Sequence, residues 1–375
     1  MVRSSRCRLM AIGVIASLAI LSTPPPAAAQ NIWTGAGIDY NWSNPSNWQG
    51  SSVPVSGALT RITFVAGQGS INNLGSPFVL TSLQFNTGMY VIGGQLDFQA
   101  IFNNTRQIFQ NTALSLQVEN PLLINGPLFM RGSGGVVTLS GAITGGGSFN
   151  QGSGPTVPTG TFVTELWGLN SYTGGTFVHN GTLRLRYTGT LPAGGNVTVT
   201  AGTLNLVNDI NLTIGSLTLS SSDATGTSPA PRVTGNGILT LGGNIAYKPT
   251  GGGDSPGGWI EVGIDLGGAT RTIHATAFST SSYDLEIRGA ITDLATSRRP
   301  ASANSLSREA TPTAGRRSWT EESSTWVLRT ACRLPQPSPY RPIQSCPSTR
   351  LPSVGASPRG ATTRRSARSA GRAAR

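Results

Sequence analysis

The sequence Gly181-Thr182-Leu183-Arg184-Leu185 alternates leucine with polar residues after a glycine. The same cassette returns at residues 202–206, 215–219 and 237–241, with start-to-start separations of 21, 13 and 22 residues. Alternation of apolar and polar residues is typical of a β-strand with one face turned inward. A strand cassette that recurs about every 20 residues predicts a solenoid, because a single unit cannot bury its apolar face alone.

Short strands are predicted throughout the body of the chain, residues 30–293. Runs rich in Val, Leu, Ile, Thr and Phe end at Gly, Asn or Ser, and no run at helical period exceeds about two turns. The clearest runs are residues 60–65, 82–85, 136–139, 182–185, 196–200, 203–206, 216–219 and 238–241. At about 20–25 residues per coil, the body predicts an all-β, parallel β-solenoid of roughly a dozen coils. A β-sandwich or an up-and-down barrel is the alternative, since both also use short strands with Gly-rich turns.

The formal net charge of +12 belongs to the C-terminal segment alone. Residues 294–375 hold 15 Arg, no Lys and 3 acidic residues, whereas residues 1–293 hold 12 basic and 12 acidic side chains. The basic pI therefore gives no argument for nucleic-acid binding by the body, and we expect no nucleic-acid partner. The 49 glycines show no Gly-X-Y period, which excludes collagen.

Residues 1–29 have the pattern of a secretory signal peptide. Three arginines precede an apolar run of about thirteen residues, and a Pro-rich break leads to Ala27-Ala28-Ala29. The apolar run is shorter than the ~20 residues of a membrane-spanning helix. Cleavage is therefore predicted between Ala29 and Gln30, and a signal anchor is the alternative.

Cysteine usage is consistent with export without disulfides. Cys7 lies in the leader, Cys332 and Cys346 lie in the C-terminal segment, and residues 30–293 contain none. This excludes a disulfide-stapled module, a thiol nucleophile and a cysteine-based metal site from the body.

Residues 168–185 read Gly-Leu-Asn-Ser-Tyr-Thr-Gly-Gly-Thr-Phe-Val-His-Asn-Gly-Thr-Leu-Arg-Leu, and residues 191–206 continue with a Val-Thr-Val-Thr strand and another Gly-Thr-Leu. This stretch resembles the autotransporter-associated β-strand repeat, and residues 33–48 are similar to the opening of many exported bacterial β-repeat proteins. The resemblance implies a right-handed parallel β-helix passenger, exported by a Gram-negative cell and displayed at the outer membrane, with no shared catalytic residues. It is clearest over residues 168–206. The Asn-x-Tyr repeat is clear only once in frame, and the translocator barrel expected in the family is absent from this sequence.

The composition changes abruptly after Asp293. Residues 294–375 are rich in Arg, Ser, Pro, Ala and Thr without apolar periodicity, which predicts a disordered tail. When each codon's third base is read with the first two bases of the next codon, residues 301–328 permit Gly-Lys-Leu-x-Leu-Ser-Gly-x-Asn-Thr-Tyr-x-Gly, the same family repeat. We therefore interpret the tail as out of frame, with a frameshift near Asp293 and a truncated passenger as the result.

Candidate catalytic residues are few. His179 and His274 are the only histidines, and their separation in sequence favours ordinary polar positions over a catalytic or metal pair. Asp254, Glu261 and Asp265, near Trp259 and Arg271, form the one carboxylate constellation that a polysaccharide lyase or hydrolase would need. Glu261 and Asp265 are four residues apart, so a single strand would point both the same way with Trp259. Solvated outer-face carboxylates are the alternative, and we predict no cofactor and no metal.

Trp33, Tyr40, Trp42 and Trp48 form an aromatic opening to the body. Such side chains can stack on sugars, but we expect them to cover the open end of the solenoid, where apolar core would otherwise meet water.

These observations predict an exported β-helix passenger with an adhesion or display role and no catalysis. A polysaccharide lyase or hydrolase and a structural surface stalk are the alternatives. The expected partners are Sec-type export machinery and host or matrix surface ligands. The expected location is the cell surface, the outer membrane or the medium, or the periplasm if no translocator barrel belongs to the protein.

Overall fold

The computed structural model describes residues 30–100, 105–152, 162–187, 190–221, 229–249, 257–276 and 285–292, together with the strand Ser323–Leu328. Within these ranges the only helical segments are two short 3-10 helices, Pro45–Asn47 and Gln49–Ser51. The remaining regular structure consists of short strands.

The strands are numbered in chain order and most have three or four residues. They are β1 Gln30–Trp33, β2 Arg61–Phe64, β3 Gly69–Asn72, β4 Phe78–Leu80, β5 Ser82–Phe85, β6 Tyr90–Gly93, β7 Leu96–Phe98, β8 Arg106–Gln110, β9 Leu116–Val118, β10 Leu122–Ile124, β11 Leu128–Gly132, β12 Val136–Leu139, β13 Ile143–Thr144, β14 Phe149–Gln151, β15 Val163–Leu166, β16 Thr176–Val178, β17 Thr182–Leu185, β18 Val197–Val199, β19 Thr203–Leu206, β20 Leu212–Ile214, β21 Leu217–Leu219, β22 Arg232–Gly235, β23 Ile238–Leu241, β24 Ile245–Tyr247, β25 Gly258–Ile260, β26 Gly263–Asp265, β27 Arg271–Thr276, β28 Leu285–Ile287, β29 Ile291–Thr292 and β30 Ser323–Leu328.

The strands stack into two long and two short sheets. Sheet 1 has the order β1-β2-β5-β8-β11-β14-β16-β18-β21-β24-β27-β30, and sheet 2 has the order β3-β6-β9-β12-β15-β17-β19-β22-β25-β28. Sheet 3 contains β4, β7, β10 and β13, and sheet 4 contains β20, β23, β26 and β29. Every described strand pairing is parallel except that of β27 with β30. The chain is therefore a parallel β-solenoid, which confirms the predicted fold class over the sandwich and the barrel.

We number the coils by their strands in sheet 1, from coil 1 at β1 to coil 11 at β27. Coils 2–11 each place a strand in both long sheets, and the two four-stranded sheets give eight of these coils a third strand. The eleven coils numbered in this way are slightly fewer than the roughly a dozen expected. The coils differ in length, since register partners are separated by 20 residues at Val197 and Leu217 but by 31 at Gln30 and Arg61.

The core consists of columns of inward side chains, one from each coil. In sheet 1, Ile62 pairs in register with Leu83, Leu83 with Ile108, and Ile108 with Met130, and all four are fully buried. Burying such a side chain contributes about 1.5–3 kcal/mol. Parallel, in-register pairing places like side chains directly above one another, so each coil covers the apolar surface of its neighbour.

The Leu-x-Leu cassettes supply this core but do not form one column. Those of β17 and β19 pair in register in sheet 2, which accounts for their 21-residue separation. The cassette of β21 lies in sheet 1 and that of β23 in sheet 4. The 13-residue separation is therefore the step from sheet 2 through β20 of sheet 4 to sheet 1, rather than a short coil.

The Asn-x-Tyr part of the repeat is structural. Asn170 accepts a hydrogen bond from the backbone N–H of Ile143 in the preceding coil (2.9 Å) and donates to the carbonyl of Thr190 in the next (2.7 Å). Tyr172 is fully buried with its hydroxyl 2.7 Å from Thr176 Oγ1, and burial raises its pKa. The motif thus ties three coils together at a corner of the solenoid.

An aromatic cap closes the N-terminal end of the core. Trp33, Trp42 and Trp48 are at most 2 % exposed and meet edge to face, with centroid distances of 5.0 Å (Trp33–Trp48) and 6.0 Å (Trp42–Trp48). The Trp42 ring also meets Phe78 of the next coil at 5.3 Å. The predicted capping role is confirmed for the three tryptophans. Tyr40 is 44 % exposed and lies outside the cap.

Asn47 holds the cap segment in shape. Its buried amide donates to the carbonyl of Asp39 at 2.9 Å, to Asp39 Oδ1 at 3.2 Å and to the carbonyl of Asn41 at 3.0 Å, and its Oδ1 accepts from the N–H of Gly37 at 2.8 Å. The backbone N–H of Asn41 and neighbouring amide side chains hold the pKa of Asp39 below its ordinary value. These bonds satisfy polar groups that the loop brings against the core.

One segment beyond Asp293 forms a strand. Ser323–Leu328 pairs antiparallel with Arg271–Thr276 at the C-terminal edge of sheet 1. A regular strand was not expected in this segment, and the remainder of residues 294–375 lies outside the described residues. Residues 1–29, including Ala29 of the predicted cleavage site, also lie outside them, and Gln30 is the first residue of β1.

Corner glycines provide a matched test of this close stacking. Gly235 has φ 123°, and a Cβ there would lie 1.9 Å from the carbonyl oxygen of Leu206, whereas a Cβ at Gly146 would meet nothing within 4 Å. We expect Gly235→Ala to lower the free energy of unfolding by about 1–3 kcal/mol. Gly146→Ala should leave it unchanged or raise it by about 0.4–1 kcal/mol. Urea unfolding followed by circular dichroism measures both, and equal unfolding midpoints would contradict the stacking described at this corner.

Candidate functional site

The outer face of sheet 2 carries the four salt bridges found among the described residues, together with aromatic side chains that contact their arginines. Successive coils bring Glu165, Arg184, Asn205 and Thr234 into one outward column in register. The adjacent column contains Thr203, Arg232, Trp259 and Glu286. Neighbouring positions in a column are about 4.8 Å apart, the spacing of paired strands.

Glu165 is the centre of the first cluster. Glu165 is 3 % exposed, and its carboxylate accepts hydrogen bonds from Arg184 Nη1 at 2.9 Å, Arg186 Nη1 at 3.2 Å and Trp167 Nε1 at 3.1 Å. Burial raises the pKa of Glu165, but the bonds from Arg184, Trp167 and Arg186 outweigh burial and hold it below its ordinary value. Glu165 is therefore a buried anion that fixes two guanidinium groups at the surface.

Tyr187 projects beside this cluster. It is 59 % exposed, its ring meets Trp167 edge to face at 4.9 Å, and the guanidinium of Arg186 lies 5.3 Å from its centre. Its backbone is in the left-handed region with φ 56°, a conformation that costs a non-glycine residue about 1–2 kcal/mol. These ring contacts hold an exposed aromatic side chain in one place.

Trp259 is the centre of the second cluster. The guanidinium of Arg232, from the preceding coil, lies 3.8 Å from the indole centre, and that of Arg288, from the following coil, lies at 4.8 Å. Arg288 also bonds Glu286 Oε2 at 3.0 Å and Glu261 Oε1 at 3.2 Å. The hydrogen bond with Glu286 raises the pKa of Arg288, and the bond from Arg288 lowers the pKa of Glu286.

The predicted carboxylate constellation is not brought together. Glu261 lies on the outer face of sheet 2, whereas Asp265 lies in β26 of sheet 4, where it is buried and accepts a hydrogen bond from the N–H of Gly267 at 3.0 Å. The expectation that both point the same way from one strand is wrong, because the chain turns a corner between them at the buried Val262. Arg271 donates to the carbonyls of Leu266 and Gly242. Asp254 lies outside the described residues.

The two histidines are also apart. His179 follows β16, where its ring stacks on Phe177 with centroids 6.0 Å apart and burial lowers its pKa. His274 is in β27, four coils further along sheet 1. Among the described residues there is no group of three or more His, Cys, Asp or Glu placed to hold a metal ion.

Sequence reasoning missed the cluster around Glu165. The signal was present in the cassette itself, since Arg184 occupies the outward position of Leu-x-Leu and Arg186 follows at the next outward position. The partner carboxylate is one coil earlier, 19 residues from Arg184, and only the register of β15 with β17 shows that they meet.

Comparisons with protein-family models, with curated proteins and with solved structures found no match. Within the described residues, no helix has the length and apolar character needed to cross a membrane.

The Glu165 cluster predicts a measurable pH dependence. Because the folded pKa of Glu165 is depressed, its stabilising contribution is full above the ordinary glutamate value near 4.5 and is lost as pH falls through the lower folded pKa. Glu165→Gln should lower the free energy of unfolding by about 1–3 kcal/mol at neutral pH, because it leaves the two arginines without their carboxylate partner. The difference in unfolding free energy between wild type and variant should shrink as the solution is acidified through this range.

Glu119→Gln is the matched control, since Glu119 is an exposed carboxylate on the same face. This substitution should change the free energy of unfolding by no more than about 0.5 kcal/mol. Denaturant unfolding at a series of pH values measures both variants, and parallel profiles for the two would refute the role assigned to Glu165.

Proposed function

We propose that this chain is an exported, non-enzymatic β-solenoid whose outer faces serve adhesion or display at a bacterial surface. The leader-like residues 1–29, the body without cysteine and the repeat-like residues 168–206 support export and the autotransporter-type assignment. The solenoid contributes a long lateral surface on which outward side chains are the groups that can contact a partner.

The observation that carries the proposal is the outer face of sheet 2. Its ten parallel strands use their backbone groups in pairing, so recognition at the centre of this face must come from outward side chains. Arg, Tyr and Trp, the residue types enriched at binding hot spots, are grouped there and held by mutual contacts.

The partners that fit this proposal are Sec-type export machinery for the leader and host or matrix surface ligands for the solenoid. The final location proposed is the cell surface, the outer membrane or the medium, with the periplasm as the location of a chain without a translocator. A structural stalk remains the alternative that uses only the length of the solenoid.

The enzyme alternative is less well supported by the geometry. A polysaccharide lyase or hydrolase needs convergent carboxylates, and a general acid needs a raised pKa. Glu165 and Glu286 instead have lowered pKa values, and Glu261 is paired with Arg288.

Export is tested by expressing the full chain in a Gram-negative host. We expect the mature chain to begin at Gln30 and to be found outside the cytoplasm, because the leader is read by the secretion machinery. Mass spectrometry of fractionated cells measures both properties. A variant lacking residues 1–29 should stay in the cytoplasm, and a full chain that is retained there uncleaved would overturn the export proposal.

The role of the mature chain is tested on immobilised matrix proteins and polysaccharides. Saturable retention without cleavage is the expected outcome. Cleavage that is lost in Glu261→Gln but kept in Glu119→Gln would establish the enzyme alternative instead. If the chain is neither retained nor cleaves the polymers, the structural stalk is the function that the result supports.

A further inference from the structure

One stretch of the sheet 2 outer face has a charge opposite to that of the body. Residues 30–293 contain 9 basic and 12 acidic side chains. In coils 6–9 of this face the outward columns nevertheless present three arginines, Arg184, Arg186 and Arg232, and a single carboxylate, Glu165. Glu165 is buried beneath two of them, so the surface that meets solvent is cationic.

These arginines are fixed before any ligand arrives. Glu165 holds Arg184 and Arg186, whose side chains stay 33 % and 35 % exposed, and the guanidinium of Arg232 lies over the Trp259 indole, 3.8 Å from its centre. Among the described residues, no salt bridge involves Arg232. Each guanidinium has five N–H donors in a plane that matches a carboxylate, so donors remain for an external anion.

The spacing of the arginines suits a periodic ligand. Arg184 is in coil 7 and Arg232 is in coil 9, which places them about 10 Å apart along the solenoid axis, twice the strand spacing. Thr203 and Asn205 lie in the coil between them and Thr234 lies beside Arg232, and the amide of Asn205 donates to Thr234 Oγ1 at 2.8 Å. Tyr187 adds an exposed ring at one end.

We propose that the sheet 2 outer face in coils 6–9 binds the carboxylates of a linear acidic polysaccharide. Arg184, Arg186 and Arg232 bind the carboxylates, Asn205 and the two threonines bond sugar hydroxyls, and the Tyr187 ring packs against a sugar face. Glu165 and Trp259 are positioning residues. This inference rests on the adhesion role proposed above and names the chemical class of its ligand.

An extended glycan fits this face better than an acidic peptide does. A peptide strand gains affinity by pairing with the edge of a sheet, whereas these arginines lie on strands paired on both sides. A polyuronide needs no backbone partner, because its hydroxyls and carboxylates can bond directly to the outward arginine, asparagine and threonine side chains.

Calorimetric titration of the full mature chain with a tetrauronide tests the site. We expect saturable binding that weakens about tenfold or more in the double variant Arg184→Gln/Arg232→Gln. The matched control Arg61→Gln/Arg131→Gln removes the same charge from sheet 1 and should bind like wild type. The arginine-rich segment after residue 293 is present in every variant, so the comparison reports the face alone. Circular dichroism and thermal melting confirm that both double variants fold.

Three further arms separate the sources of binding. Trp259→Leu should weaken binding while Arg232 keeps its charge, which a purely long-range charge effect would not do. The carboxyl-reduced, neutral tetrasaccharide should bind at least about tenfold more weakly. A sulfated tetrasaccharide and an acidic tetrapeptide should also bind more weakly than the uronide.

Equal loss of affinity in the two double variants would overturn the site, as would equal binding of the neutral sugar or tighter binding of the sulfate or peptide probe. If wild type and Arg184→Gln/Arg232→Gln are retained equally on matrix surfaces, the adhesion role stands and this site is rejected. A chain that binds the uronide but is not exported keeps the site and rejects the proposed location.

Discussion

Parallel, in-register pairing between successive coils is the constraint on which the whole molecule depends. A three- or four-residue strand cannot satisfy its own backbone groups, so each coil relies on the coils before and after it. Register then determines which side chains of neighbouring coils meet. It stacks leucine on leucine in the core and places outward residues of successive coils next to each other on the surface. The core columns, the Asn170 corner and the arginine clusters are all consequences of this one arrangement.

Local pattern was enough to predict strands but not the meeting of residues between coils. The alternation Thr203–Leu206 marks a strand with Leu204 and Leu206 inward, and the structure has this strand with the same bounds. The tryptophans at the start of the body likewise predicted a cap, because apolar side chains are needed there to cover the end of the core. Such inferences need only the alternation of neighbouring residues.

The inferences that failed all depended on where the chain turns. Glu261 and Asp265 are in phase for one continuous strand, yet a corner at Val262 places them on different sheets. The cassettes of β19 and β21 look like a short repeat but belong to different sheets for the same reason. The ion pairs of Glu165 could not be predicted, since coil lengths vary from 20 to 31 residues and the partner of a given side chain is set by that length.

The aromatic cap gives the solenoid a polarity. At the N-terminal end Trp33, Trp42 and Trp48 fill the space into which a preceding coil would pack, so the stack has a definite first layer. At the opposite end of the described residues, β28 and β29 are the last strands of sheets 2 and 4, and β30 pairs with β27 of sheet 1. The cap therefore sets the origin of the stack: each later coil is laid on the one before it, so its position along the axis is counted from the three tryptophans.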